Sequence, residues 1–167
     1  MHMFSSGHPD RGFSMIEVLV ALLILSIGLL GLAGLQTRSI QMSQSAHQAS
    51  QATYLAYDII DRMRSNRVAA LAGDYDRTFG DDVPTGNTLA AQDTAGWLAM
   101  LQGEEGEDGV PGLLPMEGDQ TGGAVAVDGD GIAHVRVGWF DARWLEQSDD
   151  SDEGDPRIRV IELKVQL

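Results

Sequence analysis

From Val18 to Leu35 the chain carries no charged residue. A helix from Phe13 to Leu35 covers roughly 33 Å at about 1.5 Å per residue, enough to cross a bilayer core, so the stretch predicts a transmembrane helix. Past Leu35 the pattern becomes amphipathic without a break, since neither Pro nor Gly occurs between Gln36 and Leu71. Leu35, Met42, Ala49, Ala56 and Met63 repeat every seven residues, and Ala46, Ala52, Thr53, Ile59 and Ile60 widen that stripe. Gln44, Gln48, Gln51, Asp58, Asp61 and Arg62 lie off it, with Asp58 and Arg62 spaced i,i+4 for a surface pair. One helix is therefore expected to continue to Ala72-Gly73, where Gly supplies a C-cap. Running from Phe13 to about Ala70, it would be about 85 Å long, too long for a domain of this size to bury, so half of it is expected to project.

The remaining residues, 73–167, read as a small head whose stability depends on packing against that helix. Thr88 to Gln102, with Leu89, Trp97, Leu98, Met100 and Leu101, predicts a short helix starting near Asp93 or Thr94. Gly103 to Gly109 reads as an acidic loop. Ala124–Val127, the turn Asp128-Gly129-Asp130-Gly131 and Ile132–Asp141 predict a hairpin. In its second strand Ala133, Val135, Val137 and Trp139 alternate with His134, Arg136 and Gly138. Arg157–Leu167 alternates likewise, Ile161, Leu163, Val165 and Leu167 against Glu162, Lys164 and Gln166. The expected fold is α+β, an antiparallel sheet covering the amphipathic half of a long helix.

Glu17 stands out because it enters the apolar helix one turn from its start. A carboxylate in hydrocarbon costs on the order of a few kcal/mol and calls for a partner. At headgroup level, by contrast, it would be solvated and favourably placed against the helix dipole. Its surroundings bear on the choice. Arg11-Gly12, Phe13 and Glu17, followed by Val18-Leu19-Val20-Ala21-Leu22-Leu23-Ile24-Leu25, resemble the type IV pilin superfamily, with a polar leader ending in Gly, then Phe, then Glu as fifth residue of the mature chain. The resemblance implies cleavage between Gly12 and Phe13 by a prepilin peptidase, N-methylation of Phe13 and assembly into a filament. It gives Glu17 an assembly role, its partner being the methylated amine of Phe13 on a neighbouring subunit. It further implies a leader over 1–12, a membrane half over 13–35, an amphipathic half over 36–72 and a periplasmic head over 73–167. The chain would then be a single-pass inner-membrane protein that enters a pilus fibre. A conventional signal peptide cut after Gly31-Leu32-Ala33 competes, but its basic n-region is weak, with only Arg11 against Asp10. Gly28, Gly31 and Gly34 lie along one side of the helix and permit close helix packing, although Gly is also simply common in membrane helices.

Trp97, Leu114-Pro115, the strand Val135-x-Val137-x-Trp139 and the final basic-apolar strand resemble the minor pilins of the PilV kind, type IV pilus modification proteins. That resemblance implies a structural subunit that primes pilus assembly and serves twitching motility, with other minor pilins, the major pilin, prepilin peptidase and inner-membrane lipid as partners. A type II secretion minor pseudopilin and a tip-displayed adhesion module are the alternatives.

Charge limits the partners. Twenty of the 25 acidic residues fall between Gly73 and Asp155, where the bases are Arg77, Arg136 and Arg143, so no nucleic-acid partner is expected. Arg62, Arg64 and Arg67 end the helix, complementing its dipole or meeting an acidic face of an adjacent subunit. Asp149 to Asp155 is acidic enough to suggest calcium, but its spacing is not that of an EF-hand loop, and no metal is expected. Neither a phosphate-binding Gly-Lys motif nor a Cys is present, and His47 and His134 have no acidic partner by spacing. No catalytic residue, no cofactor and no enzyme activity are expected.

Overall fold

The computed structural model describes residues 14–103, 109–118, 120–141 and 157–167. The processing positions Gly12 and Phe13, most of the 103–109 loop and the whole of 149–155 lie outside them. Helix α1 (Met15–Ser65) and the short α2 (Arg67–Leu71) are followed by α3 (Leu89–Gln102) and by strands β1 (Gly122–Val127), β2 (Ile132–Phe140) and β3 (Ile158–Gln166). The chain divides into two compact units between Gln41 and Met42.

In the second unit, an antiparallel sheet of order β1-β2-β3 covers the amphipathic half of the helix, an α+β architecture of the pilin kind. The β1–β2 turn is built by Asp128, whose carboxylate accepts from the backbone N–H groups of Ile132 (2.8 Å) and Asp130 (3.0 Å). The Ile132 N–H in particular holds that carboxyl below the usual Asp range. Gly131, at φ +77°, closes the turn. The register places Val125, Val135 and Leu163 in one row across the sheet and Gly123, Val137 and Ile161 in the next. The alternation expected of β2 is observed: Ala133, Val135, Val137 and Trp139 are buried. Gly138, on the opposite face, is buried too, because a Cβ there would lie 2.0 Å from the Gln120 carbonyl oxygen.

The buried stripe of α1 is Ala52, Leu55, Ala56, Ile59, Ile60 and Met63, with Ala49 packed at its edge. Three expected members are corrected: Leu35 (69% exposed), Met42 (53%) and Ala46 are all exposed, since the core begins only at Ala49. Periodicity records which face a helix could bury, and packing decides how far along that face burial extends.

The helix is also interrupted where none was expected. Asn66 leaves helical geometry (φ −118°, ψ 48°), and its side-chain amide donates to the Tyr75 hydroxyl at 3.1 Å. Helical bonding resumes through α2 and ends at Gly73 (φ +84°), with Asp74 N–H donating to the Ala69 carbonyl at 3.0 Å, the six-to-one bond of a left-handed glycine cap. Helix α3 begins at Thr88, whose hydroxyl accepts from Ala91 N–H at 3.2 Å, and not near Asp93 or Thr94. Those two residues lie inside the helix, where Asp93 bonds Tyr75 and Thr94 is buried.

Trp97 joins the three layers. Its indole N–H donates to the Leu55 carbonyl of α1 at 2.9 Å, fully buried, and its ring lies against the backbone of β1. A Cβ at Gly123 would fall 2.2 Å from the ring, so only glycine fits there. Gly123→Ala is therefore expected to destabilise the protein by about 1–3 kcal/mol, the usual cost of overpacking a tight core. Thermal unfolding of the detergent-solubilised protein measures this; a variant as stable as the parent would show that the ring is not clamped.

Candidate functional site

The candidate site is the first half of α1. Ser14 opens the helix: its hydroxyl accepts from Ile16 N–H at 3.3 Å, and its carbonyl from the N–H groups of Glu17 (3.0 Å) and Val18 (3.3 Å). Glu17 thus sits in the first turn, exposed, and no hydrogen bond or ion pair joins its carboxylate to another described residue. Ser14-Met15-Ile16-Glu17 also has the spacing of a capping box, a signal the charge-in-apolar argument passes over.

Beyond Glu17 the helix is long and apolar enough to cross a membrane. Among the described residues the large apolar side chains from Met15 to Leu35 find no partner, with exposures from 49% at Val18 and Val20 to 84% at Met15. The hydroxyls in this region are satisfied internally: Ser26 donates to the Leu22 carbonyl at 2.7 Å and Thr37 to that of Ala33 at 3.1 Å. A helix that returns its hydroxyl donors to its own carbonyls suits a solvent that offers none. A Cβ at Gly28, Gly31 or Gly34 would meet nothing within 4 Å, so all three glycines present open backbone.

In the second unit a polar clamp fixes the end of α1. The Tyr75 hydroxyl donates to Asp93 Oδ2 at 2.7 Å; Arg62 lies 3.5 Å from Asp93 Oδ1 and 2.9 Å from Asp58 Oδ2. The expected Asp58–Arg62 pair is thus present, and it extends through Asp93 to α3. Arg64 pairs with Asp61 at 3.3 Å. Two members of the basic band are therefore engaged by acids of their own chain. At the end of β2, the buried Asp141 accepts from the Ser45 hydroxyl at 2.6 Å.

One reading of the histidines is corrected. His134 lies 3.6 Å from Asp128 and 3.4 Å from Glu162, acids brought to it by the hairpin and by β3, which spacing along the chain could not disclose. His47 lies on an open polar face of α1 with Ser43, Gln44, Gln48 and Gln51. Among the described residues no group of three His, Cys, Asp or Glu is arranged to hold a metal ion.

Residues 8–33 match the prokaryotic N-terminal methylation motif. No curated protein and no solved structure matches the chain. The motif is the prepilin signal of type IV pilin-like and pseudopilin-like proteins, and it supports a precursor of that class, a membrane-anchored structural subunit rather than an enzyme. It implies processing by a prepilin peptidase and assembly with other pilins.

Burial first, and then the bond to Asp93, push the Tyr75 hydroxyl up to about 12. Because the folded state resists deprotonation, stability is full below the unfolded tyrosine value near 10 and falls as pH rises from there to about 12. Phenolate absorbance of the folded protein should therefore show a step near pH 12 that Tyr75→Phe removes; absorbance in that range left unchanged by Tyr75→Phe would contradict the clamp.

Proposed function

We propose that this chain is a minor pilin of the PilV kind: a low-abundance subunit that inserts in the inner membrane, is cleaved after Gly12, is methylated on Phe13, and primes type IV pilus assembly with other minor pilins. The observation that carries the reading is Glu17. It is a lone acid at the head of an apolar helix, has no partner among the described residues, and is set five residues into the chain that cleavage after Gly12 would leave. In water such a helix would expose far more contiguous apolar surface than a monomer tolerates. In lipid the same surface is satisfied, and in a filament core it packs on neighbouring helices.

On this reading 1–12 is the leader, 13–35 the membrane half, 36–72 the amphipathic half and 73–167 a periplasmic head. The mature N-terminal amine and the Glu17 carboxylate of the next subunit neutralise each other in a low-dielectric core. Breaking such a buried pair costs about 3–5 kcal/mol, enough to enforce register. Gly28, Gly31 and Gly34, with nothing within 4 Å of where a Cβ would stand, let neighbouring helices approach. The PilV kind over other minor pilins rests on the head: the Trp97 clamp, the buried Leu114 and the Val135-x-Val137-x-Trp139 strand are all core features.

Glu17→Val should leave membrane insertion intact and remove the subunit from filaments. Immunoblots of membranes and of sheared filaments measure the two separately. Normal recovery of the variant in filaments would remove the assembly role of Glu17. Co-purification of the wild-type protein with secretion-system subunits, and not with pilus minor pilins, would move the chain to the pseudopilins.

A further inference from the structure

The two edges of the sheet are finished differently. On β1 the hydrogen bond from Asp128 N–H to the Ile132 carbonyl places even-numbered residues toward β2, so Gly123, Val125 and Val127 face outward. All three are met by the segment 76–77. The Gly123 carbonyl accepts from Arg77 Nε at 3.0 Å. Val125 exchanges two backbone bonds with Arg77, at 2.8 and 3.0 Å, and Val127 N–H donates to Asp76 Oδ1 at 3.0 Å.

On β3, the bond from Leu167 N–H to the Gly131 carbonyl places odd-numbered residues toward β2. The backbone groups of Val160, Glu162, Lys164 and Gln166 therefore point away from the sheet, and among the described residues nothing pairs with them. The core-facing row Ile161, Leu163, Val165 and Leu167 is only half-buried, and Val160 on the other face is 43% exposed. Among the described residues one edge is closed residue by residue and the other has no pairing strand, with an incompletely covered apolar row behind it, which leaves a place for a further strand.

We propose that the β3 edge takes up, antiparallel to itself, an extended strand of another polypeptide carrying acid–apolar–base at consecutive positions. The base would lie opposite Glu162, the acid opposite Lys164, and the apolar residue between them would extend the row at Leu163. Shifting the register by two residues loses this charge match, and shifting by one turns the apolar positions to the wrong face. Glu162-Leu163-Lys164 of β3 itself has the required order, so a peptide of that sequence serves as the probe, and pairing of two copies of the chain is an outcome that the test distinguishes.

The test uses the full chain in detergent micelles and a fluorescent synthetic peptide with the sequence of residues 157–167, read by anisotropy. Saturable binding is expected, weakened about tenfold or more by N-methylating the peptide backbone at its Glu and Lys, and weakened by exchanging those two residues. Lys164→Pro removes an outward N–H while sparing the β2–β3 ladder, so it should abolish binding with the thermal midpoint nearly unchanged. The double variant Glu162→Lys/Lys164→Glu, which keeps every backbone group, should reverse the preference toward the exchanged peptide. Absence of saturable binding up to about 1 mM, or binding indifferent to both peptide changes, would overturn the proposal. Self-association of the unliganded chain that Lys164→Pro removes would assign the edge to a second copy and overturn the stated occupant. None of these readouts requires filament assembly, so failure here is distinct from failure of the minor-pilin reading.

Discussion

A helix whose first half has no apolar partner among the described residues is the constraint on which everything else depends. Between Met15 and Leu35 its large apolar side chains are about half or more exposed and its glycines face open space, and the hydroxyls of Ser26 and Thr37 are folded back onto the helix's own carbonyls. Such a surface is stable only in lipid or among other helices of the same kind. Glu17 is then the one group in that half whose charge the chain leaves to something outside the described residues.

The second half of the same helix is held by a different logic. Ala49 to Met63 presents small and branched side chains to the sheet, and two polar links fix the geometry: the indole N–H of Trp97 on the Leu55 carbonyl, and the Tyr75 hydroxyl between Asn66 and Asp93. The first bonds a backbone carbonyl that already belongs to a helix, so it positions α3 without disturbing α1. The second coincides with the interruption of the helix at Asn66, between α1 and α2. With no Cys in the chain, these links and the sheet register do the holding that a disulfide does elsewhere.

Much of this was legible in the residues, and the misses have physical causes. The apolar run, the heptad stripe and the alternating strands declare themselves because periods of 3.6 and 2 are properties of local geometry. The positions of α1, the β1–β2 hairpin and β3 follow. The stripe did not say where burial stops, because Leu35 and Met42 fit the period as well as Ala56 does, and only the extent of the packed core separates them. Asp93 is as good a capping residue as Thr88, and its engagement by Tyr75 from 18 residues away is invisible in sequence. The acids beside His134 come from another strand and from the turn. The closing of the β1 edge by Asp76 and Arg77 reads along the chain only as two charged residues in a loop. As for the candidate site, Glu17 and the three glycines were found by residue type and spacing, while the open surroundings of both came only from the structure.

Whether this helix is a processed membrane anchor is decided by the intact mass and N-terminal sequence of the chain recovered from membranes of cells that carry a prepilin peptidase. The expected product is a chain beginning at Phe13 with one methyl group on its amine, keeping Glu17 and the whole apolar segment. A mature chain beginning at Gly34, or one still carrying residues 1–12 in the presence of active peptidase, would contradict it.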